Sequence, residues 1–187
     1  MKIIKTNIPD LLIIEPKVFE DERGYFFESY NQKDFIDNNV NIDFVQDNQS
    51  KSTYGVIRGL HYQLAPYAQS KLVRALRGSI LDVAVDIRKG SPTYGKSFSI
   101  ELSEENKRQL LIPKGFAHGF SVLSDYAVFS YKCDNLYEPS SERGINFLDK
   151  TLNIDWQIDM SKAIISTKDK VNPSFENAEI NFIYGQI

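Results

Sequence analysis

The sequence predicts an all-β protein, a sandwich or barrel of many short strands. Three observations point there. Segments rich in β-branched and aromatic residues recur along the chain, most of them bounded by Gly, Asp, Asn or Pro. One of them, ILDVAVDI at 80–87, alternates: Val83, Val85 and Ile87 face one way, and Asp82, Ala84 and Asp86 the other. Finally, 12 Phe and 10 Tyr supply large rings for a β-rich core. Short strands at this spacing suit a barrel or a double-sheet sandwich.

Taken in order, LLIIEPKVF (11–19) reads as a first strand with its proline near an edge, and DERG (21–24) as a turn. YFFESY (25–30) follows as a strand and NQKDFIDNNV (31–40) as a short helix or turn. Further strands are expected in IDFVQDNQS (42–50), GVIRGLHYQ (55–63), SKLVRALRG (70–78) and SILDVAVDIRKG (79–90). The series continues with SFSIELSEEN (97–106), RQLLIPKG (108–115), GFSVLS (119–124) and AVFSYKCDN (127–135). WQIDMSKAIISTKDK (156–170) is expected to hold a short helix or 3₁₀ turns across one end of the barrel. No repeat, low-complexity block or linker interrupts the pattern. A single domain over 1–187 is therefore expected, with a β core over about 10–150 and a mixed segment over about 152–187.

Composition narrows the function classes. Hydrophobic residues make up 42% and charged residues 25%, ordinary values for a globular chain. A net charge of −3 argues against general nucleic-acid binding, yet a few local arginines suffice for a small anion. The one cysteine, Cys133, forms no intrachain disulfide, which fits a reducing cytoplasm, and it reads as a core thiol. The N-terminal stretch MKIIKTNIPDLLIIEP holds no apolar segment of signal-peptide length, and no apolar run is long enough to span a bilayer. Cytoplasmic localisation without membrane contact is the expectation.

The chain has only two histidines. His61 lies in VIRGLHYQ (56–63), beside Arg58, Gly59, Tyr62 and Gln63. His118 lies in IPKGFAHGFSVL (112–123), where Pro113, Gly115 and His118 form P-x-G-x-x-H. That spacing resembles the second motif of cupins, small barrels of the double-sheet jelly-roll type. The first cupin motif carries H-x-H, whereas GLHYQ has one histidine. Two histidines cannot build a three-histidine metal site. A two-histidine, one-carboxylate site stays open on composition, but the reading adopted is no metal and no cofactor. Taken singly, each histidine is most simply a hydrogen-bonded core residue. Taken together they suit proton transfer or ligand binding.

The joint occurrence of FEDERGYFFESYN, VQDNQSKS, VIRGLHYQ, SKLVRALRGSILDVAVDIRKG, IPKGFAHGFSVLSD, YKC and NIDW resembles the dTDP-4-dehydrorhamnose 3,5-epimerase family. The similarity runs from about residue 10 to about residue 170. It implies a cupin-type double-stranded β-helix (jelly roll) with a few short helices near the termini. It also implies a cofactor-independent isomerase that inverts C3 and C5 of dTDP-4-keto-6-deoxyglucose. The roles carried over are His61 as base, Asp169 (in STKD) as its partner, Tyr131 as acid and Lys71 as stabiliser of the enolate. Thr167 stands where the family pattern has glutamate. Arg23, Glu28, Gln46, Asn48, Arg58, His118 and Lys168 match substrate-binding positions, and Phe26 and Tyr137 are candidates for packing against base or sugar. The resemblance further implies a homodimer in which Arg23 reaches the neighbouring subunit's site. Alternatives sharing these residues are a C3-only epimerase and an enzyme for another nucleotide-linked 4-keto sugar, such as a GDP-heptose. A metal-dependent cupin enzyme and a non-catalytic sugar-nucleotide binding module are more distant readings.

One local expectation is geometric. Arg58 and His61 are three positions apart and would face opposite ways on a straight strand. If both line one pocket, the backbone must bend or bulge between them, and Gly59 is the natural place.

Overall fold

The computed structural model describes residues 1–186 of the chain. With strands numbered in chain order, one six-stranded sheet runs β1 (Lys2–Lys5), β2 (Leu12–Glu15), β10 (Gln109–Ile112), β7 (Lys71–Arg77), β12 (Tyr126–Cys133), β5 (Gln46–Thr53). A second runs β13 (Glu142–Gly144), β6 (Val56–Gln63), β11 (Phe116–Val122), β8 (Ser79–Asp86), β9 (Ser97–Ser103). A two-residue strand, β14 (Ile164–Ile165), adds to β6 in parallel. β3 (Phe19–Asp21) and β4 (Gly24–Phe26) form a separate hairpin. The two helices are short, α1 (Gln32–Asp37) and α2 (Thr167–Lys170). From β7 to β12 the chain passes repeatedly between the two sheets, the winding of a jelly roll.

The side chains sort into three apolar layers. Between the sheets lie Val73 and Ala75 from β7, Ile80 and Ala84 from β8, Phe120 and Val122 from β11, and Phe129 from β12. Outside the second sheet, Leu81, Val83 and Val85 meet Phe147, Trp156, Phe175 and Phe182 from the C-terminal segment. Outside the first sheet, Leu72 and Leu111 are covered by Phe35 of α1 and by Val40. This explains the alternation in ILDVAVDI. Both faces of β8 are buried, one in each layer, so Asp82 and Asp86 are inside the protein and not on a wet face.

Three sequence expectations shift. A strand precedes the expected first one, because Lys2–Lys5 pairs antiparallel with Leu12–Glu15. YFFESY is strand only as far as Phe26, since Tyr30 turns back to pack edge-on against Phe35 and Phe44 at 5.1 and 5.2 Å. The C-terminal segment covers the outer face of the second sheet more than one end of the barrel, because that face is the apolar surface left open. Cys133 is a buried free thiol on the face shared with Phe129 and Tyr131, and burial pushes it up to about 11.

The interior charge at Asp86 is neutralised locally. Arg88 donates to both its oxygens from Nε and Nη2, each at 2.9 Å, and Nη1 reaches Asp10 at 2.6 Å. Ser91 and Thr93 hydroxyls donate to Asp86 Oδ2 at 2.6 and 2.7 Å. The guanidinium is sandwiched between the rings of Phe116 and Tyr184, 4.6 and 4.9 Å from their centroids. Burial pushes the Asp86 carboxyl up, but these bonds outweigh it and hold it below the usual carboxylate range. Arg88→Met leaves that carboxylate buried and unpaired, so denaturant unfolding at neutral pH should show a loss of about 3–5 kcal/mol. A depressed carboxyl contributes stability that is lost as pH falls through its folded value, so the gap between wild type and variant should narrow in acid.

Candidate active site

Strand β6 sets up the site. Gly59 has φ +125°, the following peptide bond is cis, and the β6–β11 register slips between His118 and Phe120. His118 lies opposite His61, while Phe120 lies opposite Arg58. The expected irregularity at Gly59 is therefore present, and Arg58 and His61 line the same cavity. Space explains the glycine. A Cβ at Gly59 would come within 2.5 Å of Gly119 Cα and 2.8 Å of the His118 carbonyl oxygen.

The cavity has a volume of about 550 Å³, within the range of small-ligand sites. His61 enters from β6, His118 from β11, Lys71 from β7, Tyr131 from β12, Asn48 from β5, and Lys168 and Asp169 from α2. His61 Nε2 meets Asp169 Oδ1 at 2.5 Å. Asp169 is buried, its second oxygen faces the Gly59 amide at 3.5 Å, and its own amide donates to the Ser166 hydroxyl that caps α2. Burial pushes the Asp169 carboxyl up, but the hydrogen bond and charge of His61 lead the opposing effects and leave it below the usual range.

The second histidine is built the same way. His118 Nε2 meets Asp82 Oδ2 at 2.9 Å, with both residues buried. The other Asp82 oxygen has no hydrogen-bond partner among the described residues. Behind His118 the wall is aromatic: Phe129 stacks at 6.0 Å from His118 and lies 5.5 Å from Tyr131. Lys71 sits 5.8 Å from the centre of the Tyr131 ring. Burial lowers the Lys71 ammonium from the usual lysine range, offset in part by Cys133, Asp82 and Glu142. Burial raises the Tyr131 phenol, and Cys133 adds to this while Arg58 opposes it. Arg58 is exposed toward the cavity, with Nε on Ser52 Oγ at 3.1 Å.

The remaining candidates lie apart. Gln46 and Tyr137 do not line the cavity but adjoin it, Gln46 Nε2 donating to Asn48 Oδ1 at 3.1 Å and the Tyr137 amide to Gln46 Oε1 at 3.0 Å. Arg23, Phe26 and Glu28 do not line the cavity of their own chain. Arg23 is on the exposed β3–β4 hairpin, paired with Asp21, and Glu28 accepts from Asn31. Among the described residues, no group of three His, Cys, Asp or Glu side chains is arranged to hold a metal ion.

Comparison with known proteins shows the family. The family model for dTDP-4-dehydrorhamnose 3,5-epimerase matches residues 5–177. The chain belongs to that family. It is 58% identical over 180 residues to the Shigella flexneri epimerase, covering 96% of this chain and 98% of the relative. The crystal structure of the epimerase from Elizabethkingia anophelis NUHP1 superposes with a TM-score of 0.90 at 55% identity, covering 94% of this chain and 97% of the other. The Legionella pneumophila Philadelphia 1 epimerase, solved in complex with dTDP-4-keto-L-rhamnose, gives a TM-score of 0.90 at 50% identity, covering 94% and 93%. An epimerase is an isomerase, and that is the class of this chain. The double-stranded β-helix fold is likewise that of these epimerases.

Within the epimerase frame, sequence reading passed over three residues. Asp82 was visible only as the polar side of an alternating strand, and Glu142 lay in a stretch to which no element was assigned. Phe129 lay in an expected strand, but nothing local placed it between His118 and Tyr131.

Replacing Gly59 by Ala tests the geometry. Strained backbone and overlap with Gly119 together should cost about 2–6 kcal/mol. A melting temperature within a degree of wild type would contradict the assigned geometry.

Proposed function

We propose that this chain epimerises dTDP-4-keto-6-deoxyglucose at C3 and C5, giving dTDP-4-keto-rhamnose by proton transfer through an enolate. The observation that carries the reading is one cavity in which a carboxylate-paired histidine, His61, faces a tyrosine, Tyr131, and a half-buried lysine, Lys71. A proton alpha to a ketone can be removed if the enolate oxygen is stabilised. Asp169 takes one ring nitrogen of His61, which leaves Nδ1 to accept the carbon-bound proton and an ionised carboxylate to stabilise the imidazolium. Tyr131, kept protonated by burial, delivers a proton from the opposite face. Lys71 stabilises the enolate oxygen. Each inversion leaves an imidazolium and a phenolate, which reset by exchange with solvent before the next one.

Arg58 suits the diphosphate because its planar fork makes two aligned, charge-assisted bonds. Asn48, His118 and Lys168 contact the nucleotide sugar from the other walls, with Gln46 and Tyr137 at the rim. The C-terminal segment belongs to the same functional unit, since it supplies Asp169.

Arg23, Phe26 and Glu28 complete the site of a second copy. The reading is supported by the hairpin itself, which exposes Phe19, Tyr25 and Phe26 beside an Arg23 turned away from its own cavity. Such a set of rings calls for cover.

The reaction is tested by incubation with dTDP-4-keto-6-deoxyglucose in heavy water, following the C3 and C5 proton signals by NMR. Loss of both is expected. Loss at C3 alone would replace the double inversion by a single one. His61→Asn should abolish exchange while retaining dTDP binding, and normal exchange would remove His61 from its role.

The shared site is tested by mixing two inactive variants, Arg23→Ala and His61→Asn, and allowing subunits to exchange. If Arg23 crosses over, half of the dimers are mixed and each has one intact site, so activity returns to about a quarter of wild type. No recovery would place Arg23 in its own chain's site or outside it.

A further inference from the structure

The corner between β5 and β6 sets the surroundings of Arg58. These consecutive strands belong to different sheets, and only Tyr54 and Gly55 join them. Gly55 turns the chain at φ +80°, and a Cβ there would lie 2.7 Å from the Lys162 carbonyl oxygen. Along β5, Gln46, Asn48, Ser50 and Ser52 alternate inward, while Asp47, Gln49, Lys51 and Thr53 are exposed. The sharp corner therefore brings Ser52 beside Arg58, across the gap between the sheets. Ser52 Oγ accepts from Arg58 Nε at 3.1 Å. Ser52 is 7% exposed and does not line the cavity, whereas Arg58 does. Among the described residues no carboxylate pairs with Arg58, and this is the one hydrogen bond its guanidinium makes.

We infer that Ser52 is a positioning residue for the nucleotide diphosphate: its hydroxyl holds the Nε edge of Arg58 and so presents both terminal nitrogens of the fork to the cavity. This rests on the diphosphate role proposed for Arg58 above. A guanidinium carries five N–H donors in one plane, and a bidentate contact with phosphate needs two of them aligned. With Nε–H given to Ser52, the N–H groups of both Nη atoms are left for the ligand. Without that anchor a long side chain has more rotamer freedom to lose on binding. A carboxylate in place of Ser52 would also hold the guanidinium, but it would cancel the charge that attracts phosphate. A neutral hydroxyl orients the cation and leaves its charge intact.

The test measures dTDP binding by calorimetry for the full chain, its Ser52→Ala and Arg58→Ala variants, and the double variant. Ser52→Ala should weaken dTDP binding about three- to tenfold, the ordering cost of one long side chain. Arg58→Ala should weaken it further. Adding Ser52→Ala in that background should then change the affinity by less than twofold, because the hydroxyl acts through Arg58. With dTDP-4-keto-6-deoxyglucose, Ser52→Ala should raise KM by a similar factor and lower kcat less than twofold, since the diphosphate takes no part in the bond changes. A loss of dTDP affinity under twofold would overturn the inference. An equal loss with and without Arg58 would also overturn it, as would a lowered kcat at unchanged KM. If Ser52→Ala shows no cooperative thermal transition, Ser52→Cys, near in size and a weak acceptor, takes its place in the cycle under the same thresholds. An Arg58→Ala variant that binds dTDP as wild type does would instead overturn the diphosphate role, and this inference with it.

Discussion

The site depends on one steric constraint, the close approach of β6 and β11 where Gly59 meets Gly119. No side chain fits between them. The strand therefore bulges, and a register that would have sent Arg58 and His61 to opposite faces sends both into the cavity. The two roles proposed for Arg58 and His61, diphosphate contact and base, can thereby be carried by one strand. The neighbouring strand gains as well, since the same slip leaves His118 directly across from His61.

Two imidazoles facing each other across a ladder would repel if both were charged. Each is given its own carboxylate, from a different direction. Asp82 reaches His118 from β8 within the barrel, while Asp169 reaches His61 from α2 outside it. Buried ionisable groups are tolerated only when so paired. The same logic governs Asp86, which has no catalytic neighbour and is matched by Arg88, Ser91 and Thr93. The surroundings of these acids differ: Asp86 is sealed against Arg88, whose guanidinium is flanked by Phe116 and Tyr184, while Asp169 opens through His61 to a cavity.

Much of the fold was legible. Strands announced themselves by β-branched and aromatic runs between turn residues, and β6 to β12 fall close to where those runs lie. What was not legible is which layer each face meets. The alternation of β8 suggested a wet side; tertiary packing buried both faces and made Asp82 an interior partner of His118. Strand β1 was missed because KIIK is too short to stand out without its partner β2. The early end of β4 follows from Tyr30 packing on Phe35 and Phe44, a contact that no local pattern encodes.

The sequence by itself determined the family, through motifs spread over nearly the whole chain, and with it the residue types the chemistry requires. It also marked Gly59 as the place where the strand must deform, because the spacing of Arg58 and His61 is incompatible with a straight ladder. Only the tertiary structure decided the pairings. Asp169 lies 108 residues from His61, and Asp82 lies 36 from His118. Spacing along the chain does not say which acid a buried ring will meet; that is set by the winding of two sheets and by the helix that closes over one of them.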